Sequence, residues 1–175
     1  MVNSEKMLKH MAWANSEILS KVALLPDEAL DAYVVNPEWT ARVIIQHLVR
    51  SAHFYGYRLQ IRTPEETQGY QSKFKEYVDN QSLLTKSTDV LALVELLKYA
   101  DNVLLKESKA DEGIVLREEE DTKINPSRST VIFQSIHHAT EHRAQVVSAL
   151  EARGFLNINL DDYDFWGYAQ NFGEF

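Results

Sequence analysis

Apolar residues recur along this chain at the spacing of a helix, not of a strand. Met7, Met11, Ala14, Ile18, Val22 and Leu25 follow a period of about 3.6, predicting a first helix that Asn3 or Ser4 can cap and that Pro26 follows. Residues 26 to 38 hold two of the four prolines and read as a loop. Thr40 then opens a second helix to about Arg62, with Ile44, Leu48, Ser51, Tyr55 and Leu59 on one face. A third starts at Ser87 or Thr88 and runs to about Lys109, turning Val90, Val94, Leu97, Leu104 and Leu105 inward. The fourth and longest, Ser129 to Gly154, ends on the residue best able to take the left-handed position past a helix end.

The connections shape the topology. Residues 63 to 87 are polar and too many for a tight turn between antiparallel neighbours, with one short helical turn expected around Phe74 to Val78. A connection of that length permits a crossover between helices that run parallel. Residues 110 to 128 are acidic and irregular, with a short extended piece expected at Ile114 to Leu116. After Gly154 comes an aromatic tail, Asp161 to Phe175. The pattern therefore predicts an all-α fold: a four-helix bundle with a long crossover connection between helices two and three, as a single domain over residues 1–175.

Composition narrows the chemistry. A formal net charge of −8 and the lack of a lysine or arginine run argue against a nucleic-acid surface. There is no cysteine, so disulfides and thiolate ligands are excluded and any metal must be held by nitrogen and oxygen. No window approaches the roughly 20 apolar residues of a membrane span. The N-terminal stretch mixes charges among its apolar residues and lacks the core of a signal peptide. A cytoplasmic protein is the expectation.

Within the fourth helix His138 and His142 stand four residues apart, which at about 100° per residue puts them on one face, a turn apart. Two imidazoles so placed can grip one metal ion, but two ligands are too few. His47 is the histidine of helix two on the core side and the candidate third ligand, with His10 in reserve. His53 points to the opposite side of its helix and is expected to be solvated, and His137 points away from the pair, so both are expected outside the site. Three imidazoles with an open fourth position make a catalytic type of site. Spacing alone leaves open whether these histidines are ligands or core polar groups.

Two charges fall inside apolar stripes. Arg143 lies among Ile136, Ala139, Val146 and Leu150, and Asp101 among Val94, Leu97, Leu104 and Leu105. A charge there is costly unless paired. The expectation is that they pair with each other or serve the site, Arg143 as clamp for a substrate anion and Asp101 as acceptor for a ligand imidazole; the alternative is that both reach outward at a helix edge. Glu141 is about 100° round from His142 and reads as solvated. Trp166 and Tyr168 either wall the pocket or a dimer contact, or simply cover an end of the bundle.

Several short pieces occur in a telling order: Trp13-Ala14-Asn15, Trp39-Thr40 with His47 seven residues beyond Thr40, His138-x₃-His142-Arg143-x-Gln145, Gly154, and Asp164, Trp166 and Tyr168. Together they resemble the DinB/YfiT family of four-helix metalloproteins over almost the whole chain. The resemblance implies a metal held by His47, His138 and His142. One departure is Ala144, where the family's motif has glycine; the extra methyl bears on helix approach, not on the ligands. The resemblance further implies zinc or nickel, possession of thiol-dependent S-transferase, maleylpyruvate isomerase or hydrolase chemistry on a small molecule, use of a low-molecular-weight thiol, and a homodimer. A non-catalytic metal-binding bundle, stress-related or partner-binding, stands as the alternative, and a metal-free helical domain as a third.

Overall fold

The computed structural model describes residues 4–67, 84–116, 125–155 and 158–173. Four long helices dominate: α1 (Ser4–Val22), α2 (Ala41–Gln60), α3 (Val90–Glu107) and α4 (Arg128–Ala152). A short α5 (Phe165–Asn171) follows, and single helical turns occupy Asp27–Asp31, Pro64–Thr67, Ser87–Asp89 and Leu160–Tyr163. The turn expected around Phe74 to Val78 lies outside the described residues. Among the described residues extended pairing is confined to one antiparallel bridge, Ile114 to Ser127, at the expected extended piece.

The local signals explain most of the boundaries. The Thr40 side chain accepts from the Val43 amide and so caps α2. Ser127, not Ser129, caps α4, accepting from the Thr130 amide. At the other end of α4 Gly154 takes φ +74°, while the amides of Phe155 and Gly154 return to the carbonyls of Leu150 and Glu151. Those two bonds are the pairing by which a left-handed glycine closes a helix. α1 stops at Val22, three residues short of the expected end, because Leu24 and Leu25 bond back only three residues ahead of Pro26.

α1 and α2 each pack against both α3 and α4, so the two pairs lie on opposite diagonals of the bundle. Directions follow from the contacts. His53 stacks on Tyr99, a methyl on Gly56 would sit 3.2 Å from Val103, and Arg62 pairs with Glu107, so α2 and α3 run parallel as the crossover requires. Asn15 meets Asp101 and Glu5 meets Lys109, so α1 and α3 are antiparallel. The core joins Leu8, Met11 and Leu19 of α1, Ile44, Ile45 and Leu48 of α2, Leu97 and Leu104 of α3, and Val146 and Leu150 of α4.

Parallel α2 and α3 bring two negative helix ends side by side. Arg128 answers both: Nη1 donates to the Leu59 carbonyl and Nη2 to the Glu107 carbonyl and carboxylate. Arg62 joins the same carboxylate and the same Leu59 carbonyl. Burial would raise the Glu107 carboxyl, but these two guanidinium groups outweigh it and hold it below the usual range.

The aromatic tail does more than cap an end. Tyr163 and Ile158 pack with Ala14, Ile18 and Val147 in a second apolar cluster, so the tail lies along α1 and α4. Asp164 caps α5, its Oδ1 accepting from the amides of Trp166 and Gly167.

Candidate metal centre

His47 comes from α2, and His138 and His142 from the facing side of α4. The antiparallel packing of these two helices brings the rings together. Nε2 of His138 lies 3.1 Å from Nε2 of His47 and 3.1 Å from Nε2 of His142. One ligand atom from each ring falls within 4.8 Å of the others, so the three are able to hold one metal ion.

The neighbours decide how the rings present themselves. Trp39 Nε1 donates to Gln145 Oε1 at 3.0 Å, and an indole nitrogen is a donor only, so the amide atom facing it is the oxygen. That same oxygen stands 2.8 Å from His142 Nδ1. Nδ1 of His142 must therefore carry the proton, which leaves a lone pair on Nε2 toward the cluster. Gln145 is three residues on from His142, one turn away on the same face. Its Nε2 reaches Glu141 at 3.4 Å, on the exposed side of α4.

Burial pushes the imidazoles of His47 and His138 toward the neutral form. His138 is brought down to about 4, by burial first and then by His142 and His47; His47 is also lowered, by burial, His142 and Arg50. Neutral rings are what a metal requires. The donor set itself fits a cation. A ring nitrogen offers one in-plane site, either a proton or a lone pair, so Nε2 of His138 makes a good hydrogen bond to one neighbour only. The second close contact sets like against like unless a positive ion stands among the three.

Trp39 lies edge-on to His47 and His142, with ring centroids 5.5 and 5.9 Å away, and Tyr55 lies edge-on to His138 at 5.7 Å. These rings flank the cluster on the α2 side. Helical spacing pointed to the three histidines, while Tyr55 carried no site signal and Trp39 was visible only in the family resemblance. Gln145 was legible in the same way, although its step of three from His142 was available.

The other histidines are placed elsewhere. His10, the reserve ligand, sits under the tail with Nε2 2.7 Å from the Tyr163 carbonyl and its ring stacked on Phe165, so it is not part of the cluster. α1 is diagonal to α2, which puts His10 beyond reach of His47. His137 is exposed. His53 is not solvated as expected: it is half-buried, stacked on Tyr99 of the parallel helix α3.

Arg143 and Asp101 are both buried, 5% and 4% exposed, so neither reaches outward. Asn15 joins them: its Nδ2 donates to Asp101 Oδ2 at 3.1 Å, and its Oδ1 accepts from Arg143 Nη1 at 2.7 Å. Arg143 Nη2 donates to Thr140. The Arg143 guanidinium is thus held inside the core, its bonds made to Asn15 and Thr140. Burial raises Asp101 to about 7 against the pull of Asn15 and Arg143. Trp166 is exposed and Tyr168 buried against Trp13, His10 and Phe172, in the tail and away from the three imidazoles. Trp166 walls a basin of the tail, not the histidine cluster.

No helix among the described residues is long and apolar enough to cross a membrane. The chain matches no curated protein and no solved structure. A family model does match, that of the DinB family, and it runs through every element that positions the three imidazoles. With residues 1–170 of 175 covered by that match, this chain belongs to the DinB family.

Proposed function

We propose that this chain is a divalent-metal-dependent enzyme acting on a small molecule, by S-transfer from a low-molecular-weight thiol or by hydrolysis. The observation that carries the reading is the meeting of His47, His138 and His142 through Nε2. Three neutral nitrogen ligands suit zinc or nickel and leave room for a further group, as in catalytic sites. Bound there, the ion would supply positive charge that lowers the pKa of a water or thiol sharing the site.

The chain's own residues prepare that site. Gln145 holds the His142 proton on Nδ1, burial keeps His47 and His138 neutral at physiological pH, and Trp39 and Tyr55 flank the cluster against bulk water. The chain has no cysteine, so a sulfur nucleophile has to enter as a separate thiol. Glu141 is exposed and turned to Gln145, which argues against its acting as base.

The test is metal analysis after gentle purification, followed by turnover assays. The assays pair low-molecular-weight thiols, or water alone, with electrophilic acceptors. About one equivalent of zinc or nickel per chain is expected, lost in His142→Ala together with activity. A protein that binds neither metal, or activity unchanged in His142→Ala, would sink the proposal.

A further inference from the structure

A small cavity of about 10 Å³ lies beside the centre, lined mostly by apolar surface, with Asn15, Tyr55, Asp101, Ser135 and His138 among the residues around it. That is about the least room one water molecule needs, and a water needs polar partners to stay. Most of these groups are already engaged. Ser135 donates to the Ile132 carbonyl at 2.7 Å, Tyr55 bonds to Gln134, and Asn15 joins Arg143 to Asp101 Oδ2. Asp101 Oδ1 is the exception: it is fully buried and has no hydrogen-bond partner among the described residues. A buried carboxylate oxygen left so is expensive, and a water beside it is the ordinary remedy.

His138 is the ligand imidazole of the cavity wall, and its ring has a proton to offer. Its Nε2 faces the other two histidines, so as a ligand through Nε2 it must hold its proton on Nδ1. His142 has Gln145 for that purpose, whereas His138 has no such neighbour on α4. We propose that one ordered water in this cavity accepts from His138 Nδ1 and donates to Asp101 Oδ1, making Asp101 the positioning residue of the second α4 ligand. The proposal rests on the three-histidine centre described above. A carboxylate behind an imidazole fixes the tautomer and turns the ring's lone pair to the metal; a water between them passes the same constraint. Asn15 and Arg143 then belong to the same chain of contacts, holding the other oxygen of Asp101 in place. The Asn of Trp13-Ala14-Asn15 and the Arg after His142 would thus serve the centre without touching it.

The test separates the relay from the metal reading. Imidazole tautomers are read by ¹⁵N NMR in the metal-free protein, for the unaltered chain, Asp101→Leu and Asp101→Asn, and zinc affinity is measured by chelator competition. The unaltered chain is expected to hold both α4 histidines protonated on Nδ1. Asp101→Leu should release His138 to a mixture of tautomers, leave His142 as it was, and weaken zinc by about 10–100-fold. Asp101→Asn, which keeps an oxygen for Asn15 but loses the charge, should show the same change in smaller measure and guards against a Leu variant that fails to fold. Tautomers of His138 unchanged in both variants would overturn the relay even if zinc binds well. Tautomers that depend on Asp101 in a chain that binds no metal would uphold the relay and sink the metal reading instead.

Discussion

Replacing Asn15 with leucine tests the buried charges most directly. Asn15 is 1% exposed, donates one hydrogen bond to Asp101 and accepts one from Arg143, two ionisable groups that are themselves almost wholly buried. Hydrogen bonds to charged groups contribute about 1.5–3 kcal/mol each. Leucine shares the branching of asparagine and is somewhat larger, so no cavity opens, but both charges lose their link. The expected loss is about 3–5 kcal/mol, close to the sum of two such bonds. For a chain of this size that lowers Tm by roughly 6–20 °C. The assay is urea unfolding with chelator present throughout, so that metal linkage does not enter. A second variant carries the reasoning further. Asn15→Leu with Asp101→Leu and Arg143→Met removes charges and link together, and is expected to recover to within about 1 kcal/mol of the original chain. A single variant losing less than about 1 kcal/mol, or a triple variant no better than the single, would refute the view that Asn15 holds two otherwise uncompensated groups.

Other consequences are open to simpler measurements. Since Asp101 is raised from 3.8 to about 7, the folded chain holds its proton more tightly than the unfolded one. That contribution is whole below about pH 4 and is lost as pH rises through 7, so stability relative to Asp101→Asn should decline across this window in paired urea titrations. A flat difference would show the carboxyl to be ionised throughout. Gln145→Leu should weaken zinc by about 10–100-fold in chelator competition while leaving metal-free unfolding nearly unchanged, because it frees the His142 ring without opening the core. Gly154→Ala forces a side chain into φ +74° and should cost about 1–2 kcal/mol, read as a fall in Tm. Asp164→Ala removes the acceptor for two amides of α5 and should loosen the tail, seen in the fluorescence of Trp166 and a loss of about 1 kcal/mol.

Much of this molecule could be read from residue spacing, and the remainder failed for physical reasons. The four long helices follow from apolar stripes and from local stop and start residues such as Thr40, Pro26 and Gly154, whose effects act within a turn. The crossover was legible because connection length limits which helices can be antiparallel. Both stripe-bound charges were visible on a helical wheel, but their link was not. Asn15 lies between Arg143 and Asp101 only because α1 packs between α3 and α4, a relation periodicity does not encode. The ligand pair on α4 is a local matter, whereas excluding His10 needed to know that α1 is diagonal to α2. His53 was misplaced for a similar reason: the face opposite the core stripe is half-covered by α3, since α2 touches two neighbours at once. Arg128 at the start of α4 looked unremarkable, because its partners are carbonyls at the ends of two other helices.

α4 carries its histidines and Arg143 on different sides, and each side is answered by a different helix. Sliding α4 by one turn, about 5.4 Å, would bring His142 to the level His138 had occupied and so preserve part of the histidine match. The same slide would pull Arg143 off Asn15 and Arg128 off Leu59 and Glu107. Hydrophobic side chains alone tolerate such register errors; point-to-point charge contacts at two levels of one helix do not. The polar core of this bundle therefore works as a ruler, fixing the axial position at which the imidazoles can meet.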